Sequence, residues 1–70
     1  MKKIAVIGNG YVGKAVTQFF KGHFEVITRD IDKEYLYKDG QEKITNIKNK
    51  RNWKNVNSAD FVVICVPTPP

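Results

Sequence analysis

Residues 3–13 read K-I-A-V-I-G-N-G-Y-V-G, and the meaning of this stretch decides the fold. Ile4-Ala5-Val6-Ile7 is an apolar run too short and too β-branched for a helix, so it predicts a buried strand. Glycines follow at Gly8, Gly10 and Gly13. Val12, Ala15, Val16, Phe19 and Phe20 then recur at the spacing of one helix face. Strand, glycine turn and helix are the first half of a dinucleotide-binding βαβ unit. In such a unit the first glycine permits the tight turn. The second lets a pyrophosphate approach the backbone, and the third lets helix and strand pack closely. The helix start carries free N–H groups and about half a positive charge, which suits a diphosphate.

A glycine motif alone is weak evidence. Its context strengthens it, because Phe24–Thr28 suits a second strand ending at Arg29-Asp30. Asp30 lies 22 residues after Gly8, close to the ~20 expected for an acid that holds the adenosine ribose hydroxyls. The carboxylate predicts NAD rather than NADP, with Arg29 as a neighbouring cation that helps to narrow the preference once Asp30 is replaced by Ala.

The chain has 70 residues and a net charge of +5. This length predicts the N-terminal part (1–70) of one dinucleotide-binding domain, with the rest of that domain and a substrate domain absent. Cys65 is the sole cysteine, which excludes an internal disulfide and fits a reducing cytoplasm. The apolar run before Gly8 is too short for a signal peptide or a membrane span. Lys43, Lys48, Lys50, Arg51 and Lys54 form a basic segment without interleaved aromatics, and Trp53 is alone in it. It reads as a solvated face rather than a nucleic-acid surface.

Further along, Lys21-Gly22 should end the first helix, and His23 reads as a structural turn residue. Asp32 and Gly40 read as the start and stop of a helix of at most two turns, on which Lys33 is a surface residue. Ile44–Ile47 predicts a short strand, and 49–57 a short helix carrying Trp53 and Val56 inward. Phe61–Val66 is continuously apolar and predicts a central parallel strand, closed by Pro67-Thr68-Pro69-Pro70. The expected architecture is α/β, a partial Rossmann-type doubly wound parallel sheet of order 3-2-1-4 in three α/β/α layers. Thr68, at a strand end facing the ligand crevice, is a candidate cofactor contact.

Two stretches carry a closer likeness. K-I-A-V-I-G-N-G-Y-V-G at 3–13 and A-D-F-V-V-I-C-V-P-T-P at 59–69 resemble the nucleotide-sugar 6-dehydrogenases, the UDP-glucose and GDP-mannose dehydrogenase family. The pattern G-x-G-Y-V-G and the V-P-T-P ending are its specific markers, and G-H-F-E-V-I-T-R-D-I at 22–31 is similar to the family's second strand. The resemblance covers the middle, 33–58, poorly, and that part is compressed. It implies NAD-dependent two-step oxidation of a C6 alcohol to a carboxylate through a thiohemiacetal on a downstream cysteine. It further implies that Gly8, Asn9, Gly10, Tyr11, Val12 and Gly13 hold the pyrophosphate, Asp30 the ribose, and Val66, Pro67 and Thr68 the cofactor from the facing strand end. Catalytic residues and metal ligands are expected nowhere in 1–70, and Cys65 is read as a small buried hydrophobe. The implied parent is a cytoplasmic homo-oligomer whose nucleotide-sugar substrate binds through the missing domain. The competing readings are another Rossmann dehydrogenase of the β-hydroxyacid type and a non-catalytic NAD-sensing module.

Overall fold

The computed structural model describes residues 2–8 and 10–65. The apolar run forms strand β1 (Lys3–Ile7), in which Ala5 and Val6 are fully buried. Helix α1 (Tyr11–Phe20) follows the glycine turn, and β2 (Glu25–Arg29) returns parallel to β1, with Lys3 opposite Glu25 and Ile7 opposite Arg29. All five residues of β2 are buried. On the other side of β1 lies β5 (Phe61–Ile64), also parallel, with Ile4 opposite Phe61 and Ile7 opposite Ile64. These three strands and α1 are the βαβ core that the sequence predicts.

The segment after β2 departs from expectation. Residues 33–38, read as helical, form strand β3 (Lys33–Lys38), antiparallel to β2. It turns into β4 (Gln41–Asn46), so that the strand expected at 44–47 begins earlier and pairs with β3. The turn explains the difference. Asp39 and Gly40 both have positive φ, 54° and 74°, the signature of a two-residue I′ hairpin turn that Asp-Gly favours. Asp-Gly here reverses a strand rather than ending a helix. The alternation of 33–38 agrees, since Leu36 joins one face of the sheet and Tyr37 the other. The order is therefore β4-β3-β2-β1-β5 in a mixed sheet, which replaces the expected all-parallel 3-2-1-4.

Alternation sorts the core into two faces. Ile4, Val6 and Val26 pack with Val16 and Phe20 of α1 and with Phe24. Ala5 and Ile27 pack on the opposite face with Val56, Ile7 and Leu36. Val56 comes from α2 (Lys54–Asn57), a single turn of helix shorter than the sequence suggests. Among the described residues this turn is the one helix on that face, so the expected three full layers are not reached. Phe61, Val62 and Ile64 are 55%, 52% and 68% exposed, because β5 is an edge of the described sheet rather than its covered centre.

The buried stripe of α1 also differs in detail. Gly13 and Thr17 are its buried positions, with Val16 and Phe20 half-buried, whereas Val12, Ala15 and Phe19 face outward. The Thr17 hydroxyl donates to the Gly13 carbonyl at 2.8 Å and lies 2.8 Å from the Thr28 hydroxyl. A hydroxyl has one proton to give, so Thr28 is the donor to Thr17. This satisfied polar pair draws α1 onto β2 through a position that apolar periodicity passes over.

Candidate functional site: the glycine turn and the end of β2

Gly8 is the point where three strand ends meet. Its N–H donates to the Arg29 carbonyl at the end of β2, 2.7 Å away. Its φ is +99°, and a Cβ built on it would collide with the carbonyl oxygen of Cys65, just past β5. Cys65 in turn donates its N–H to the Ile7 carbonyl at 2.8 Å. Backbone from β1, β2 and β5 thus closes around one residue that cannot carry a side chain. At Gly13 a Cβ would run into the Gly8 carbonyl, so the first turn of α1 sits directly on the glycine turn.

Gly10 is different. Among the described residues a Cβ there would meet nothing within 4 Å, so they leave the space above this backbone open. Gly10 is the N-cap of α1, and the first turn of the helix contains no acid. The leading N–H groups of a helix have no intrahelical acceptor, and the helix dipole places partial positive charge there. The arrangement can accept an anion that approaches along the backbone. Tyr11, 97% exposed, and Val12 stand at this helix start and face solvent.

Asp30 follows Arg29 and is half-buried at the carboxyl end of β2, beside the Gly8–Arg29 hydrogen bond. Its N–H donates to the Lys33 carbonyl at 2.9 Å, and its Oδ1 accepts from the Ile31 N–H at 2.9 Å. Gly8, Gly10, Gly13 and Asp30 are therefore grouped at the same end of the sheet. Asn9, Val66, Pro67 and Thr68 lie outside the described residues.

Arg29 does not stand beside Asp30 as a free cation. It is 4% exposed and turned to the Val56 face. Its guanidinium donates to the carbonyls of Asn52 and Lys50, lies 3.7 Å from the Glu34 carboxylate, and stacks 3.8 Å from the centre of the Trp53 ring. The expectation that Arg29 helps to narrow the cofactor preference is corrected accordingly: its donors are engaged elsewhere. Trp53, expected to point inward, instead covers this arginine and keeps 39% of its surface exposed. Sequence reading missed the clamp, and its only signal was a lone tryptophan in a basic, asparagine-rich stretch.

Cys65 has its side chain among Ile4, Val6 and Val26. It packs as a small hydrophobe in the half-buried range, as its place in an apolar strand implies.

A parallel β-α-β unit with a glycine hub at the carboxyl ends of its strands defines a class of α/β domain. Comparison with known proteins narrows the class. The chain is 37% identical over 84 aligned positions to the UDP-N-acetyl-D-mannosamine dehydrogenase of Methanococcus maripaludis strain C7, and 39% identical over 84 to that of Methanococcus vannielii. It is 34% identical over 80 positions to Protein CapL of Staphylococcus aureus. These alignments take in 97–99% of the chain but only 19–20% of each relative, so the chain spans about a fifth of the length of the proteins it matches. The chain belongs to the nucleotide-sugar dehydrogenase family. The alignments run longer than the chain, so they include positions at which it has no residue. No family model and no solved structure matches it.

Proposed function

We propose that the chain is the NAD-binding segment of a dehydrogenase that oxidises the C6 alcohol of a UDP-linked sugar to the carboxylate. The supporting observation is the hub at Gly8, which brings the open Gly10 backbone, the acid-free start of α1 and the β2-end carboxylate of Asp30 to one end of the sheet. Gly10 through Gly13 would face the pyrophosphate, and Asp30 would accept from the adenosine ribose hydroxyls. Thr68 and its neighbours would contact the cofactor from the β5 side. NAD supplies the hydride acceptor in this chemistry. The residues of this chain bind and orient it, while the nucleophile and base that act on the sugar belong to parts of the parent outside these 70 residues.

The names of the relatives make UDP-N-acetyl-D-mannosamine the first substrate to try, ahead of the UDP-glucose or GDP-mannose that the wider resemblance suggests. Taking the alcohol to the acid removes two hydrides, and water supplies the second oxygen. One mole of sugar should therefore yield two moles of NADH.

The experiment is cofactor titration of the protein carrying this chain, followed by turnover with UDP- and GDP-sugars. NAD should bind more tightly than NADP, because a carboxylate at Asp30 accepts from a ribose diol and repels a 2′-phosphate. Asp30→Ala should weaken NAD and narrow that gap. Since Arg29 is held on the other face, the narrowing should come from lost repulsion alone. Gly10→Val should weaken both cofactors with little loss of stability, as the open space above Gly10 permits a side chain. Equal wild-type affinity for the two cofactors would overturn the role of Asp30. Tight NAD binding without turnover of any nucleotide sugar would favour a sensing module.

A further inference from the structure

The basic segment 43–54 reads in sequence as a solvated face, yet its middle is fastened to the residues beside Asp30. Arg29 grips the carbonyls of Lys50 and Asn52 from below and is covered by Trp53. Glu34 contributes to the same cluster, taking a hydrogen bond from the Asn55 side chain at 2.5 Å while facing the guanidinium. With its own carbonyl so anchored, Lys50 extends its ammonium group to the Ile31 carbonyl, 2.6 Å away. Ile47 adds a backbone bond to the Asp32 carbonyl at 2.8 Å. Two tethers from one loop thus hold the turn 30–32, and Ile31 is the residue whose N–H holds the Asp30 carboxylate.

We propose that Lys50 is a positioning residue for Asp30 in recognition of the adenosine ribose, with Arg29 serving as its anchor. This rests on the NAD reading above. Lys50 acts by preorganising the turn that carries Asp30. Asp30 follows the last residue of a strand and has exposed Ile31 after it, so its rotamer is set by the local turn rather than by packing. A charged donor on the Ile31 carbonyl is among the stronger hydrogen bonds available and fixes that turn before ligand arrives. Lys50 itself is exposed, so replacing it leaves the core and the Arg29 stack in place.

The test is a double-mutant cycle read by NADH binding to the whole protein that carries this chain. Lys50→Met should weaken NADH about fivefold, the effect of one lost hydrogen bond of ordinary strength at an exposed site. In an Asp30→Ala background the same substitution should have no further effect. Lys48→Met controls for the loss of a nearby surface cation and should change affinity less than about twofold. Thermal unfolding should be unchanged in Lys50→Met. An unaltered affinity overturns the proposal, as does an effect equal to that of Lys48→Met. A loss that persists undiminished without Asp30 also overturns it, since Lys50 would then act on the cofactor by charge alone. Wild-type protein that binds no NADH overturns the NAD reading and this proposal with it, whereas normal wild-type binding with an inert Lys50→Met overturns this proposal alone.

Discussion

The β1–α1–β2 unit and the β3–β4 hairpin sit side by side in one sheet, yet they are built on opposite terms. Every residue of β2 is buried, and every residue of β4 is exposed. In the first unit, shape is enforced by sterics: no side chain fits at Gly8 or Gly13, and the two hydroxyls of Thr17 and Thr28 must find each other out of water. In the hairpin, shape comes from a backbone ladder and one Asp-Gly turn, with solvent free to accommodate what the side chains do. A positive φ thus carries unequal energetic weight in the two surroundings. Positive φ at Gly8 is locked in by neighbouring backbone, while positive φ at Gly40 is locked in by nothing but the turn itself.

Paired substitutions break this comparison open. Gly8→Ala should be the most damaging, because it combines a disfavoured φ with a collision against the Cys65 carbonyl that only backbone movement relieves. A loss of about 3 kcal/mol or more in urea unfolding is expected. Gly40→Ala meets the same φ penalty with open space around it and should cost about 1 kcal/mol. Equal losses at both sites would mean that the hub at Gly8 yields as easily as the hairpin tip.

Thr17→Val should come next, at about 2 kcal/mol, since it strands the buried Thr28 donor without an acceptor. Thr45→Val, on exposed β4, should stay within about 0.5 kcal/mol. The urea midpoints of the two variants measure the gap directly.

The smallest effect belongs to the seam between the regions. Burial raises the pKa of Tyr37 above its usual value, and the charge of Glu42 opposite it adds to the shift. The sign follows from linkage. A phenol that ionises later in the folded chain contributes stability that is fully present below the ordinary tyrosine pKa and is lost as pH rises through the higher folded value. Tyr37→Phe should therefore flatten part of the alkaline fall in stability while leaving neutral pH little changed. A pH series of melts above pH 9 checks this, and an unchanged alkaline slope would show that Tyr37 ionises without penalty.

The same contrast governs what the sequence makes legible. A strand buried on both faces must be apolar, and a glycine that touches foreign backbone must be glycine, so β1, the turn and β2 are written in residues that allow few other readings. Its distance from the turn singles out Asp30, and the fold sets that residue beside the Gly8–Arg29 hydrogen bond. The first strand of the hairpin reads as a helix because Asp32, Gly40 and the mixed apolar-polar segment between them satisfy helix rules as well as strand rules. Only the Asp39-Gly40 pair distinguishes them. The buried stripe of α1 was shifted because Thr17, its most buried side chain, is polar and earns its place by a hydrogen bond that periodicity does not register. In sequence Arg29 reads as a cation next to Asp30, whereas strand alternation sends it to the opposite face, under Trp53.

The Gly8 hub also has a temporal side. Its three strands are joined by long stretches of chain, and the carbonyl that closes over it arrives with β5, near the end of the described sequence. Closing such distant contacts is slow, because chain entropy is lost before many contacts form. A nascent chain that has emerged only through β2 already contains every glycine of the motif and the acid at Asp30, yet the third wall of the turn does not exist. The closed glycine turn is thus a late acquisition during synthesis, reached when β5 docks against β1 rather than when the glycine-rich stretch leaves the ribosome.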